Sequence, residues 1–563
     1  MNRFDFVQII LSLFTLILVG PLLGRYFRKV YEGERQVLLL PLSWLERLSK
    51  SVIGSTYDTE MDWKKYTKAL LAFNFVGLVF TFVLQLVQAH LPLNPQSLPN
   101  VPWHLALNTA ISFVTNTNWQ SYAGETTLSY LVQMVALTVQ NFLSAATGMA
   151  VAVALARGFS RSSTGEIGNF WKDLTRGTVY ILLPFSVVLG VLLAGQGVVQ
   201  TISPSAEVVT LEGAKQTIPL GPVASQVAIK QLGTNGGGYY NANSSHPLEN
   251  PTPLSNWLQL ISILLIPAGF VFLFGELVKD RKHGTVLFVT MFVLLVMGLG
   301  VSLWAEYSQN PAIGTSALME GKETRFGVTN SILWSTFTSA ASNGSVNAMH
   351  SSLSPLAGAV AMFNIMLGEI IFGGVGSGLY GMVLFVILTV FLAGLMVGRT
   401  PEYLGKKIEA REIQMTILGV LIPSAAVLIG TGLSVVLPVA LSSLASKGPH
   451  GFSEALYAFA SSANNNGSAF AGLNANTVYY NLMLGAAMLL GRFGVLVPVL
   501  AIAGSLAQKR RSPPGFGTFT TNGALFVALL IGVILIVGGL TFLPSLCLGP
   551  IAEHFLMQSG RTF

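Results

Sequence analysis

The chain has 563 residues, of which 52% are hydrophobic and 10% charged. Soluble domains carry about 25% charged residues, so a string of soluble domains is excluded and lipid is the main solvent. The single cysteine, Cys547, excludes a disulfide framework and a cysteine-built metal site.

A membrane-crossing helix needs about 20 mostly apolar residues. Ten stretches qualify, at roughly 5–24, 68–90, 128–155, 178–200, 256–278, 285–305, 356–397, 414–440, 478–506 and 522–546. The first is too long for a signal peptide, carries little positive charge at its start (Arg3 beside Asp5) and lacks an A-x-A cleavage site. The segment 36–53 is apolar with Arg47 and Lys50, and suits either a helix lying along the membrane surface or a plain connecting helix. The seventh stretch is too long for one straight helix. Gly373, Gly374, Gly376, Gly378 and Gly381 interrupt it, and each glycine weakens a helix by about 1 kcal/mol relative to alanine.

The basic residues set the orientation. Nine lie between spans one and two, namely Arg25, Arg28, Lys29, Arg35, Arg47, Lys50, Lys64, Lys65 and Lys68. Four more (Arg157, Arg161, Lys172, Arg176) follow span three, three (Lys279, Arg281, Lys282) follow span five, four (Arg399, Lys406, Lys407, Arg411) follow span seven and three (Lys509, Arg510, Arg511) follow span nine. That places 23 of the 31 Lys and Arg on alternate loops of one face. The positive-inside rule assigns this face to the cytoplasm and puts both termini outside. The net charge of +7 therefore reads as lipid topology. A nucleic-acid surface would want one continuous basic patch with interleaved aromatics.

The opposite loops hold Pro, Gly, Asn and Ser. Four of them contain a similar polar stretch: Asn116-Thr117-Asn118, Thr234-Asn235-Gly236, Ser342-Asn343-Gly344 and Asn465-Asn466-Gly467-Ser468. If Asn118, Gly236, Asn343 and Gly467 are equivalent, the spacings are 118, 107 and 124 residues. A run too short to span precedes each one: Leu105–Thr115, Val223–Leu232, Ile332–Ala341 and Glu454–Ala463. A short helix followed by Gly, Asn, Ser and Thr reads as a re-entrant pore loop, because irregular backbone at membrane depth must be buried in protein or line water. Two of the stretches also match the N-x-[ST] glycosylation pattern, a short pattern with many false matches.

The fold expected is an all-α polytopic membrane protein of ten transmembrane helices. Four span–pore-loop–span repeats at 67–176, 177–283, 284–412 and 413–511 are flanked by an N-terminal span and loop (1–66) and a C-terminal span (512–563). A bare alkali cation exchanges its hydration shell for oxygen ligands, which rings of backbone carbonyls supply. Glycine allows the backbone angles that aim carbonyls inward, and asparagine tolerates left-handed angles. None of the four stretches contains Asp or Glu, which favours a monovalent cation without choosing between potassium and sodium.

Six segments carry a specific resemblance: Thr115-Asn-Thr-Asn-Trp-Gln120, Gly233-Thr-Asn-Gly-Gly-Gly238, Ser342-Asn-Gly-Ser-Val-Asn347, Asn464-Asn-Asn-Gly-Ser-Ala-Phe470, Gly368-Glu-Ile-Ile-Phe-Gly-Gly-Val-Gly-Ser-Gly378 and Gly398-Arg-Thr-Pro-Glu-Tyr-Leu-Gly405. Over essentially its whole length the chain resembles the KdpA family, the potassium-binding subunits of bacterial Kdp potassium-transporting ATPases within the potassium transporter superfamily. The resemblance implies potassium as the bound ion and a place in the bacterial inner membrane. It also implies three partners: a P-type ATPase catalytic subunit, a single-span accessory subunit and a very small membrane subunit. Potassium channels carry T-V-G-Y-G in each loop. Here Asn118 and Asn343 stand where Gly236 and Gly467 stand in the other two loops, which suggests a degenerate filter with one main ring of sites.

Other residues carry candidate roles. Glu369 is an intramembrane carboxylate, a functional candidate by default or the ion-pair partner of Arg399 or Arg492. Arg492, inside span nine, suits a paired arginine or a fixed charge that blocks leak. The glycine run suits a gate or an unwound obstruction, and equally close helix packing. Gln120 suits the lining of the vestibule or a brace for the first pore helix. The chain has no G-x-x-x-x-G-K-[ST] or D-K-T-G-T segment, and no loop on the basic face exceeds about 43 residues. It therefore has no ATP machinery of its own. The function expected is selection of external potassium for an ATP-driven uptake complex, with the hydrolysis done by a partner. A stand-alone channel, an ion-coupled symporter and a structural scaffold are the alternatives.

Overall fold

A computed structural model describes residues 1, 3–34, 37–513 and 519–561. Arg35 and Gln36, which the sequence places in the first basic loop and its connecting segment, lie outside the described residues. Within the described part of that segment, a helix covers Ser43–Ile53.

Ten helices among the described residues are long and apolar enough to cross a membrane. They are Arg3–Glu32, Trp63–Leu86, Val132–Ser160, Phe170–Gly195, Pro253–Leu277, Arg281–Tyr307, Ser377–Val397, Ala410–Ser434, Val478–Gln508 and Ala524–Gln558. The basic loops meet on one face. Arg176 pairs with Glu46, Arg161 with Glu60, and the Lys406 ammonium donates to the carbonyls of Arg161 and Leu506.

The second helix of each repeat is the inner one. The apolar windows of spans three, five, seven and nine are 83, 83, 67 and 61% buried, against 22, 39, 50 and 39% for spans two, four, six and eight. Composition explains the difference for span three. Ala145, Ala146, Gly148, Ala150, Ala152, Ala154, Ala156 and Gly158 are all buried, and small residues let backbones approach closely. A Cβ at Gly158 would lie 2.7 Å from the Ala503 carbonyl of span nine. The N-terminal helix packs outside this core on span five, where a Cβ at Gly24 would lie 2.5 Å from Phe272 Cβ.

Four short helices descend between the spans: Trp103–Val114, Val223–Leu232, Gly327–Ala340 and Gly448–Ala463. The third and fourth begin earlier than the apolar runs suggest, because the helix includes the polar first turns that a hydropathy reading leaves to the loop. Span seven is two helices, Pro355–Met366 and Ser377–Val397, separated by residues 367–376. Glu369, Phe372, Gly373 and Gly376 all have positive φ there. Gly378 and Gly381 belong to the second helix and serve close packing. A hairpin, Ala206–Val209 paired antiparallel with Lys215–Ile218, precedes the second pore helix.

Candidate ion-binding ring

The four polar stretches converge. A Cβ built on Gly236 would lie 2.1 Å from the Gly344 nitrogen, one on Gly344 2.7 Å from the Asn466 carbonyl oxygen, and one on Gly467 2.1 Å from the Thr117 carbonyl oxygen. Gly237 closes the circle against Asn118, at 3.0 Å from its Cβ. Loops one, two, three and four therefore meet in sequence as a ring.

The ring corrects the register assumed for the third loop. The sequence reading pairs Asn343 with Gly236 and Gly467, whereas in the structure Asn343 is the counterpart of Asn466. In both loops the asparagine Oδ1 accepts the backbone N–H two residues on, from Ser345 at 2.8 Å and from Ser468 at 3.0 Å. The true set is Asn118, Gly236, Gly344 and Gly467. All four line one cavity of about 420 Å³. Only the first loop departs from glycine, so the four loops are more alike at this position than expected. Left-handed backbone is found at Asn116, Asn118, Gly236, Asn465 and Gly467, residue types that tolerate it, and at Thr234, a β-branched residue that does not adopt it readily. The third loop contributes no such residue.

The asparagine side chains tie the loops together. Asn116 Nδ2 donates to the Thr234 carbonyl at 3.2 Å, and its Oδ1 accepts from Asn235 Nδ2 at 2.5 Å. Asn343 Nδ2 donates to the Lys230 carbonyl, and Asn466 Nδ2 to those of Thr338 and Ala341. Asn465 Nδ2 donates to Thr117 Oγ1 at 2.9 Å, and the Ser342 hydroxyl to the Asn465 carbonyl at 2.7 Å. Ser468 is held by Tyr457. Meanwhile the carbonyls of Thr117, Asn118, Asn235, Gly344, Asn466 and Gly467 accept no hydrogen bond among the described residues. Buried backbone carbonyls are normally paired. An unpaired set on one ring is a row of neutral oxygens with free lone pairs.

Asn343 and Asn466 are fully buried, which removes the glycosylation reading. Gln120 takes the vestibule position, and among the described residues it bonds to the second loop and not to the first pore helix. It lines the cavity, and its amide exchanges two 3.0 Å bonds with the backbone of Gly238.

On the other side of the ring, residues 367–376 cross beneath it. The Val375 N–H donates to Thr234 Oγ1 at 3.0 Å, and a Cβ on Gly374 would lie 2.9 Å from Ser342 Cβ. A smaller cavity of about 70 Å³ opens there, lined by Ser342, Glu369, Asn465 and Arg492 among others. Glu369 is buried, and its Oε1 has no hydrogen-bond partner among the described residues. It forms no ion pair with Arg399 or Arg492 among them. Arg492 instead donates to the Ser144 carbonyl at 2.9 Å and to Tyr380 Oη. Arg399 is exposed just past the left-handed cap Gly398, at the end of span seven. The basic loop carries it away from the ring, so it is no pore charge.

Sequence reasoning missed the residues that brace the ring from behind: Lys230, Asn243, Glu249, Trp334 and Tyr457. The Trp334 indole N–H donates to the Ser345 carbonyl at 2.9 Å. Lys230 and Glu249 are fully buried and ion-paired. Their signal was a charge on a pore helix and a carboxylate in a loop otherwise poor in charge.

The family model for the potassium-transporting ATPase A subunit (KdpA) matches residues 10–555. The chain belongs to this family. A potassium-transporting ATPase potassium-binding subunit of Pseudomonas aeruginosa is 58% identical over 554 residues, spanning 97% of this chain and 98% of the relative. One from Leptospira interrogans is 55% identical over 561 residues, spanning 99% and 100%. Among solved structures, the potassium transporter TrkH of Vibrio parahaemolyticus superposes with a TM-score of 0.52 at 14% identity, over 88% of this chain and 98% of that one. That likeness is one of fold: a multi-pass helical membrane protein with pore-loop repeats.

Proposed function

We propose that this KdpA-family chain binds potassium on the face opposite its basic loops and delivers it into the membrane path of an ATP-driven uptake complex. The observation that carries this reading is the ring of Asn118, Gly236, Gly344 and Gly467 around one cavity, with unpaired carbonyls and no carboxylate. Neutral backbone oxygens replace a monovalent ion's hydration shell without the strong field that divalent ions select. The amide nitrogens of Asn116, Asn235, Asn343, Asn465 and Asn466 are spent on holding the loops, which leaves backbone oxygen as the main ligand. The residues bet on are Asn116, Thr117, Asn118, Thr234, Asn235, Gly236, Ser342, Asn343, Gly344, Asn465, Asn466, Gly467 and Ser468, as ligands or struts, with Gln120 in the vestibule.

Residues 367–376 obstruct the path below the ring, with Gly373, Gly374 and Gly376 as the positions that let it fold so tightly. Glu369 and Arg492 flank that path. The repeats divide the chain at 67–176, 177–283, 284–412 and 413–511, each with an outer helix, a pore loop and an inner helix. With no ATP-binding segment in the chain, a P-type ATPase catalytic subunit supplies the energy. A single-span accessory subunit and a very small membrane subunit complete the assembly in the bacterial inner membrane. The basic face is cytoplasmic and both termini are outside.

The test is reconstitution. Potassium-stimulated ATP hydrolysis and potassium uptake are expected only when the chain is assembled with its ATPase partner. A potassium current through the purified chain alone in liposomes would overturn the reading in favour of a stand-alone channel.

A further inference from the structure

We infer that Asn243, held in orientation by the buried Lys230–Glu249 pair, pins the Gly236 carbonyl and thereby sets which alkali cation the ring accepts. The inference rests on the filter reading above and adds a specificity-determining residue outside the four polar stretches.

Three of the four equivalent ring carbonyls, those of Asn118, Gly344 and Gly467, accept no hydrogen bond among the described residues. The fourth does. Asn243 Nδ2 donates to the Gly236 carbonyl at 2.8 Å. A carbonyl has two lone pairs, so this bond fixes the oxygen's direction and still leaves a lone pair for an ion. Asn243 also lines the cavity above the ring, and it sits at φ +53° in the turn at Asn243–Ser245. Room for it is made by Gly238, where a Cβ would lie 3.0 Å from Asn243 Nδ2.

The amide cannot turn over. Its Oδ1 accepts from Lys230 Nζ at 2.8 Å and from the Ser244 N–H at 2.8 Å. An ammonium only donates, so it forces the oxygen inward and leaves the NH₂ facing Gly236. The ammonium is itself fixed by Glu249, and both side chains are fully buried. The Lys230 carbonyl accepts the N–H groups of Asn235 and Gly236. Lys230 therefore holds the second loop by its backbone and the Gly236 oxygen through Asn243. Among the described residues, no other carbonyl of the equivalent set is held by a side chain that a buried ion pair orients. One side of the ring is rigid in a way the others are not, which suits discrimination between ions of slightly different radius.

The test uses the assembled complex, with potassium and rubidium as probes of ATP hydrolysis. Asn243→Ala releases the carbonyl and leaves the ion pair intact. Asn243→Asp keeps the shape and the Lys230 contact but sets a carboxylate oxygen against the carbonyl. Both are expected to raise half-saturating potassium roughly tenfold, about the worth of one hydrogen bond, and to bring potassium and rubidium closer together, with the maximal rate nearly kept. A simple charge effect in the Asp variant would instead tighten cation binding, and that result overturns the inference. So does an unchanged potassium-to-rubidium ratio in Asn243→Ala, whatever happens to stability. Gly236→Ser distinguishes the two levels: if it shifts selectivity and the Asn243 variants do not, only the pinning is wrong. If Gly236→Ser is also silent, the filter reading fails.

Discussion

A methyl group at each ring glycine should cost affinity in an order set by the backbone. Gly236 has φ +87° and Gly467 has φ +100°, whereas Gly344 is not in the left-handed region. Placing a non-glycine residue at left-handed angles costs about 1–2 kcal/mol. The new Cβ at Gly236 would also lie 2.1 Å from the Gly344 nitrogen, and that at Gly467 2.1 Å from the Thr117 carbonyl oxygen, where ordinary contact begins at 3.4 Å. These neighbours are backbone and cannot swing aside, so adjacent loops must part by about an ångström. Strain alone corresponds to roughly tenfold in a binding constant, and an ångström of misplacement to as much as about 100-fold. At Gly344 the nearest atom is 2.7 Å away and no left-handed strain is added. Gly236→Ala and Gly467→Ala should therefore raise half-saturating potassium at least tenfold and erode discrimination against rubidium, and Gly344→Ala should do so less. The assay is potassium-dependent ATP hydrolysis by the reconstituted complex, with assembly checked separately. Equal effects at all three positions, or unchanged selectivity at Gly236, would refute the ring geometry.

Three further outcomes are expected. On the basic face, Arg157 and Asp173 form a bidentate pair at 2.6 and 2.8 Å, which the Tyr66 hydroxyl joins at 3.0 Å. Asp173→Asn strands a largely buried guanidinium and should cost about 3–5 kcal/mol, seen as a lower midpoint of thermal unfolding in detergent; an unchanged midpoint counts against the pair. At the outer end of the fourth pore helix, a hydrogen bond from His450 to Glu553 raises the histidine above its ordinary 6.5, with the charges of Glu553, Glu454 and Glu320 adding to it against burial. A raised pKa contributes stability at low pH that is lost as pH rises through the folded value, so amide exchange over residues 552–558, corrected for intrinsic rates, should quicken from pH 6 to pH 8.5 and lose that extra dependence in His450→Gln. Finally, Gly376 has φ +90° and a Cβ there would lie 2.3 Å from the Gly148 carbonyl oxygen; Gly376→Ala should unseat the obstruction beneath the ring and raise potassium leak without ATP, and an unaltered leak would remove this segment from the gate.

Most of the architecture was legible because the bilayer imposes it. Span length, the alternation of basic loops and four short runs before Asn- and Gly-rich stretches follow from needs that every residue in lipid must meet. The inner-versus-outer order of the helices was not legible from hydropathy, since an inner helix and a lipid-facing helix are both apolar. It was written in alanine and glycine content, as span three illustrates. Charge partners were misjudged for a similar reason. Glu369 and Arg492 lie close in the fold, but the arginine is satisfied by the Ser144 carbonyl and a tyrosine. Spacing along the chain carries no information about that choice.

The third loop shows where matching by composition fails. Asn343-Gly344-Ser345 and Asn466-Gly467-Ser468 are the same tripeptide, and aligning them identically would have given the correct register. The equivalence of Asn343 with Gly236 is off by one residue, a shift too small for the spacing between loops to reveal. The corrected ring has three glycines and one asparagine. Asn118 is itself left-handed, and both its amide atoms are buried without a partner among the described residues. A buried, unbonded amide is costly, whereas the other filter asparagines spend theirs on neighbouring loops. The ring is therefore asymmetric in two places: an unspent amide at Asn118 and a pinned carbonyl at Gly236. These two positions are also neighbours, because Gly237 lies against Asn118. A fourfold channel repeats one weak site many times for fast conduction. A ring with one rigid side and one extra polar group has the ingredients of a single tighter site, which is what a pump that moves ions one cycle at a time requires.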